Sequence, residues 1–92
     1  GGRIIKLNPM KVPRVIGKKG SMVSMIKKAT GCQIMVGQNG LIWISGEPKS
    51  EVIAFDTIKK IEESSHLHGL TDMIKNHLEE KTGVKLGEEG EQ

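Results

Sequence analysis

The sequence predicts an α+β domain in which a three-stranded sheet carries helices on one face. Two observations lead to that class. Short runs rich in β-branched residues alternate with runs whose apolar residues recur three and four positions apart. Between two of the β runs lies Asn39-Gly40, the strongest short-range signal for a hairpin. The predicted order is β, α, α, β, β, α, with three helices packed on one face, plus an extra C-terminal helix. A chain of 92 residues suits a single small domain of this kind.

Residues 3–7 (R-I-I-K-L) read as a strand closed by Asn8-Pro9. Pro13 fits the first turn of a short helix running to Ile16, because its missing N–H is not needed there. Residues 17–20 interrupt that helix. From Ser21 a second helix places Met22, Val23, Met25 and Ile26 at helical spacing. Thr30-Gly31 ends it, with Gly31 where a left-handed residue is wanted and Lys27 and Lys28 in the last turn. Residues 32–36 and 41–45 are the hairpin strands. Gly46-Glu47-Pro48 opens a third helix with Glu47 and Glu51 near its start and Val52, Phe55, Ile58 and Ile61 as its apolar stripe, fading near Ser64-Ser65. The extra helix covers 70–81, carries Leu70, Met73, Ile74 and Leu78 on one face, and stops at Thr82-Gly83. The acidic remainder reads as a frayed tail. The expected organisation is a domain at 1–66, a helical extension at 67–83 and a flexible tail at 84–92.

Charge divides the chain in two. Residues 1–46 hold Arg3, Lys6, Lys11, Arg14, Lys18, Lys19, Lys27 and Lys28 and no acid, while the rest holds six lysines and all eleven acids. The net charge of +3 is thus +8 in the first half and −5 in the second. An acid-free basic half is the electrostatic mark of a polyanion binder. No apolar run approaches the roughly 20 residues that span a bilayer. The N-terminus lacks a Met, a signal peptide and a transit signature, as expected of a piece cut from a longer protein or of a tag remnant. The single cysteine, Cys32, excludes an internal disulfide and suits a reducing compartment, so a cytoplasmic location is expected. Cys32 reads as small, buried and inert.

No catalytic constellation emerges. The basic half has no paired acids, and there is no Ser/His/Asp grouping in a glycine-elbow setting. His66, His68 and His77 lack metal-ligand spacing and read as surface histidines. A non-enzymatic protein with no metal and no cofactor is expected.

One motif stands out against that background. Two glycines three apart occur at 17 and 20, at 37 and 40, and at 87 and 90. The second copy is the hairpin turn and the third falls in the acidic tail. The first, Gly17-Lys18-Lys19-Gly20, sits between two helices in the acid-free half. Its glycines permit a sharp turn and a close ligand backbone, and it leads into a helix N-terminus that favours an anion. Lys18 and Lys19 are donors without an acceptor, suited to phosphate oxygens. The nucleotide-triphosphate loop G-x-x-x-x-G-K-[S/T] and the dinucleotide fingerprint G-x-G-x-x-G are both absent.

The stretch V-I-G-K-K-G-S-M-V-S-M-I-K-K-A-T-G-C-Q-I resembles the signature of KH RNA-binding domains, and the element order matches the type I KH fold. More narrowly, N-P-M-K-V-P-R-V-I-G-K-K-G-S-M together with G-Q-N-G-L-I-W-I-S-G is similar to the family of archaeal exosome RNA-binding cap subunits. The resemblance implies single-stranded RNA as ligand, bound by a non-catalytic subunit that captures RNA for 3′–5′ degradation. It implies partners too: subunits of the exosome core ring and an S1 domain of the same full-length protein. Carried onto matching positions, Gly17, Lys18, Lys19 and Gly20 would hold backbone phosphates, with Arg14 and Ser21 beside them. Ile16, Met22, Val23 and Ile26 would form an apolar floor under the bases. Gln33, Ile34 and Met35 would meet base edges. Two alternatives stay open: a KH domain of another RNA-binding protein, and a docking module whose groove is idle. The bland reading of Val23, Ile26 and Ile34 is plain core.

Strand alternation adds one further expectation. If Ile42 and Ile44 face the helices, Leu41 and Trp43 lie on the uncovered sheet face with Met35 and Ile4 nearby. That face is expected to dock a partner, either another domain or the extra C-terminal helix.

Overall fold

The buried strand residues lie on one face of the sheet, as a sheet covered on one side requires. Ile5, Ile34, Ile42 and Ile44 are buried, and the register places Ile5 opposite Ile42 and Ile34 opposite Ile44. The computed structural model describes residues 2–37, 39–64, 66 and 68–86. Within them β1 (Arg3–Lys6), α1 (Val12–Ile16), α2 (Ser21–Thr30), β2 (Gln33–Val36), β3 (Leu41–Ser45), α3 (Pro48–Glu63) and α4 (Leu70–Thr82) follow in order. The sheet is antiparallel with order β1-β3-β2, so β2 is an edge strand. The predicted α+β class and the order of its elements are those of the structure.

The hairpin turn has a tighter constraint than a turn alone. Gly37 N–H donates to the Leu41 carbonyl at 2.8 Å, and Gly40 N–H donates to the Gly37 carbonyl at 3.2 Å. Gly40 has φ of 89°, and a Cβ there would overlap the Leu7 carbonyl oxygen. Leu7 N–H in turn donates to the Gly40 carbonyl at 2.7 Å. Gly40 therefore both turns the hairpin and lets the end of β1 close onto it. Gln38 lies outside the described residues, as do Gly1, Ser65, Leu67 and residues 87–92 of the tail expected at 84–92.

The two Thr-Gly pairs end their helices in the same way. The Thr30 hydroxyl donates to the Ile26 carbonyl at 2.7 Å and accepts from Cys32 N–H at 3.2 Å. The Thr82 hydroxyl donates to the Leu78 carbonyl at 2.7 Å and accepts from Val84 N–H at 3.1 Å. Gly31 and Gly83 take φ of 72° and 76°, the left-handed C-terminal residue. At the start of α3, Gly46 N–H donates to Glu51 Oε2 at 2.9 Å, and Arg3 Nε lies 3.5 Å from Glu51 Oε1. The buried face of α3 includes that carboxylate and differs from the expected stripe. Glu51, Ala54, Thr57, Ile58 and Ile61 are buried, while Val52 is exposed and Phe55 only half-buried.

Helix α4 packs against α2 and α3. Leu70, Ile74 and Leu78 join the same hydrophobic cluster as the strand isoleucines. Leu86 is buried too, its N–H donating to Glu79 Oε2 at 2.7 Å. The extra helix thus belongs to the helical layer. That corrects one of the two occupants expected for the open sheet face: α4 is on the other side of the molecule, because its apolar face is already filled.

Candidate nucleic-acid interface

The loop between α1 and α2 owes its shape to two glycines with different tasks. Gly17 has φ of 77° and ψ of 174°, a region reached essentially by glycine alone. A Cβ on it would lie 2.6 Å from both Cβ and N of Met22. Gly20 has φ of 77° and ψ of 11°, and a Cβ there would meet nothing within 4 Å. The first glycine is packed from within; the second faces open space.

Between them Lys19 has φ of 57° and ψ of 28°, and it is the sole non-glycine residue with positive φ among those described. A lysine in this region costs on the order of 1 kcal/mol, as strained loop residues do. Gly17 N–H donates to the Pro13 carbonyl at 2.9 Å, and Gly20 N–H donates to the Gly17 carbonyl at 3.1 Å, fixing the turn. Lys18 and Lys19 are exposed, and neither ammonium group has a hydrogen-bond or ion-pair partner among the described residues. Two uncompensated ammonium groups thus flank the N-terminus of α2, where the dipole is positive.

The thirteen positions expected to touch RNA separate by depth. Arg14, Lys18, Lys19, Gln33 and Met35 are exposed; Ile16, Gly17, Gly20, Ser21 and Val23 are half-buried. Met22, Ile26 and Ile34 are buried at 3%, 0% and 5% exposure. Their side chains are core, beneath the surface that a base could reach, so the accessible apolar part is Ile16 and Val23. Met22 packs against Gly17, and Ile26 belongs to the buried cluster that also holds the strand isoleucines.

Strand β2 contributes differently from expectation. Gln33 and Met35 sit opposite Ser45 and Trp43, with their side chains on the open sheet face. Since Gly37 pairs with Leu41 through the ladder, Met35 and Gln33 are the hydrogen-bonded positions of the alternating pattern. The backbone N–H and C=O of Ile34 and Val36 therefore point away from β3, along the free edge. Sequence does not single out Val36, because the outward positions depend on the ladder register. A base edge could be met there by main chain alone.

The histidines need one revision. His66 and His68 are exposed, but His77 is half-buried on α4 and its Nε2 is buried without a hydrogen-bond partner among the described residues. Burial holds its pKa below the usual imidazole value; Lys60 and Lys81 add to this, and Asp56 and Glu80 oppose it. Among the described residues no three His, Cys, Asp or Glu side chains lie together as a metal site, and no helix is long and apolar enough to cross a membrane.

A family model described as KH domain matches residues 2–50. The chain is 61% identical over 79 residues to exosome complex component Rrp4 of Pyrococcus furiosus, which covers 85% of this chain and 30% of that protein. It also resembles a crystal structure assigned to an exosome complex RNA-binding protein, with a TM-score of 0.82, 40% identity, and coverage of 88% of this chain and 47% of that one. A chain of the a/eIF2alpha-aDim2p-rRNA complex from Pyrococcus horikoshii matches with a TM-score of 0.78 and 27% identity, over 90% of this chain and 47% of that one. The chain spans between 26% and 37% of the length of the curated relatives it matches.

Proposed function

Because this chain belongs to the KH domain family, we propose that it binds single-stranded RNA between the loop of residues 17–20 and the free edge of β2. It does so as a non-catalytic part of an exosome-type complex, capturing RNA for 3′–5′ degradation by other chains. The observation that carries this is the pair of ammonium groups, unpartnered among the described residues, on a left-handed turn at the start of α2. Relatives named exosome complex component Rrp4 support the assembly. Likeness to a chain from an rRNA-containing complex supports the ligand.

The roles follow from the chemistry at each position. Lys18 and Lys19, with Arg14, attract phosphates; Gly20, with open space beside it, lets the sugar-phosphate chain come close. Ile16 and Val23 give bases an aliphatic surface, and the outward backbone of Ile34 and Val36 offers donors and acceptors to one base. Such a site selects weakly for sequence and depends strongly on salt. Core ring subunits and an S1 domain of the longer protein are its proposed partners, and the cytoplasm its proposed location.

Replacing Lys18 and Lys19 by Asp together tests the site. Binding to a poly(U) or poly(A) oligomer should weaken at low salt, and the slope of log affinity against log salt should shrink by about 0.7 for each phosphate no longer neutralised. Unchanged binding would remove the loop from the interface. An NMR titration with the same oligomer should shift residues 14–36, whereas shifts spread over every lysine would reduce the interaction to general charge attraction.

A further inference from the structure

The loop of residues 17–20 is one end of a longer exposed line on α2. Met22, Ile26 and Ala29 turn into the hydrophobic cluster, and the spacing of three and four puts Gly20, Val23 and Lys27 together on an adjoining side of the helix. Val23 is half-buried and Lys27 is exposed. The Lys27 ammonium group has no hydrogen-bond or ion-pair partner among the described residues. Lys28, also exposed, falls about 100° further round the axis and off that line. Only Gly31 and Cys32 join α2 to β2, so the last turn of α2 lies beside the start of the edge strand. Gly31 N–H donates to the Lys27 carbonyl at 2.8 Å, and a Cβ on Gly31 would meet nothing within 4 Å, as at Gly20. The line is thus open at both ends. Trp43 and the half-buried Leu41, with Ile4 and Met35, lie on the open face of the sheet and take no part in it.

Helix electrostatics alone would place a cation here. The last turn of a helix favours positive charge, and Lys27 and Lys28 both meet that need. Position separates them, since only Lys27 continues the line from the loop. Gly20 and Lys27 are seven residues apart in sequence, about 10 Å along the axis. Long side chains in a helix lean toward its N-terminus, so the reach of Lys27 covers the turn around Val23, on the side of the loop. A lysine is a compact cation with three donors and no acceptor, suited to phosphate oxygens. No acid precedes Glu47 in the chain to compete for it. On the RNA reading of the loop, we propose that Lys27 is a second phosphate-binding position. It takes the RNA backbone as it leaves the nucleotides held by residues 17–20 and guides the strand along α2 toward Gln33. The strand then follows the helix instead of passing from the loop into solvent, and longer RNA is held by one more cation.

Titration of Lys27→Gln and Lys28→Gln with poly(U) of two lengths tests this. The short oligomer has about four nucleotides, the number such a loop clamps, and the long one about twelve. Lys27→Gln should leave the short oligomer unaffected and weaken the long one by about threefold in moderate salt. Its slope of log affinity against log salt for the long oligomer should fall by about 0.7, one phosphate contact. Lys28→Gln should change neither affinity nor slope, and Lys27→Arg, which keeps the charge, should match the parent chain at both lengths. Equal losses for Lys27→Gln and Lys28→Gln overturn the proposal by reducing both to general charge attraction. Equal losses of Lys27→Gln at both lengths overturn it too, by placing Lys27 among the first nucleotides bound. No loss at either length leaves Lys27 to the helix dipole alone and overturns it as well. The Lys18→Asp, Lys19→Asp double variant keeps the two readings apart. Should it abolish binding at both lengths while Lys27→Gln alters neither, the loop keeps its role and only that of Lys27 falls. Should it leave both lengths unchanged, the loop loses its role and the second position falls with it.

Discussion

Gly17 and Met22 touch through a side chain that is missing: a Cβ on Gly17 would lie 2.6 Å from the Cβ of Met22. Real Cβ atoms do not approach so closely, so the first turn of α2 can sit against the end of α1 only with glycine at 17. Gly20, three residues on, has no such neighbour.

Alanine at the two positions should accordingly behave unequally. Gly17→Ala combines a backbone region closed to alanine with overlap on Met22, and should cost about 3 kcal/mol or more. Gly20→Ala keeps a left-handed residue in open space and should cost about 1 kcal/mol. Denaturant midpoints of the two variants measure the difference; equal losses would mean that the packing of Gly17 on Met22 is not what fixes the loop.

Lys19 separates stability from binding. Asparagine tolerates the left-handed region better than lysine, so Lys19→Asn should hold stability or raise it by up to about 1 kcal/mol. The same change removes an ammonium group and should weaken RNA binding. Melting and oligomer titration on one sample read both effects, and a joint loss would show that Lys19 supports the fold rather than the ligand.

His77 predicts a pH dependence on the acid side. Its folded pKa lies below the unfolded value of about 6.5, so the unfolded chain binds the proton more readily. Its contribution to stability is present above that value and is lost as pH falls through the folded pKa. Chemical denaturation at pH 7 and pH 5 should show a smaller acid loss for His77→Leu than for the parent chain. Equal losses would place the acid sensitivity elsewhere.

Helix α4 should be indispensable to the domain. Ile74 and Leu78 are wholly buried between α4 and its neighbours, so Leu78→Ala should cost about 2–5 kcal/mol. Ending the chain at residue 66 would expose the α4-facing sides of α2 and α3 and should abolish cooperative melting. A stable, cooperatively melting 1–66 fragment would make α4 a true appendage.

Legibility from sequence follows the range of each interaction. Thr30-Gly31, Thr82-Gly83 and Asn39-Gly40 act over two or three residues, and each ends or turns the chain where the pattern predicts. The buried face of α3 departs from its sequence stripe at Val52 and Phe55, and Glu51, whose carboxylate accepts from the N–H of Gly46, is buried instead. His77 reads as a surface residue in sequence, since its burial depends on α3 lying beside it. For Ile26 and Ile34 the plain-core reading is the one the structure gives, and Met22 joins them, whereas Val23, read the same way, stays half-buried; which of these apolar residues reaches the surface depends on how the layers close.

By itself the sequence determined the α+β order, the acid-free basic half and the position of the lysine loop, because propensity, turn chemistry and charge are carried by neighbouring residues. Tertiary structure decided depth and direction. It put three candidate groove residues into the core, turned the backbone of Ile34 and Val36 to the free edge, drew α4 into the helical layer and left Trp43 uncovered. Those outcomes depend on which surfaces meet once the chain closes, and burial is a property of the whole packed arrangement.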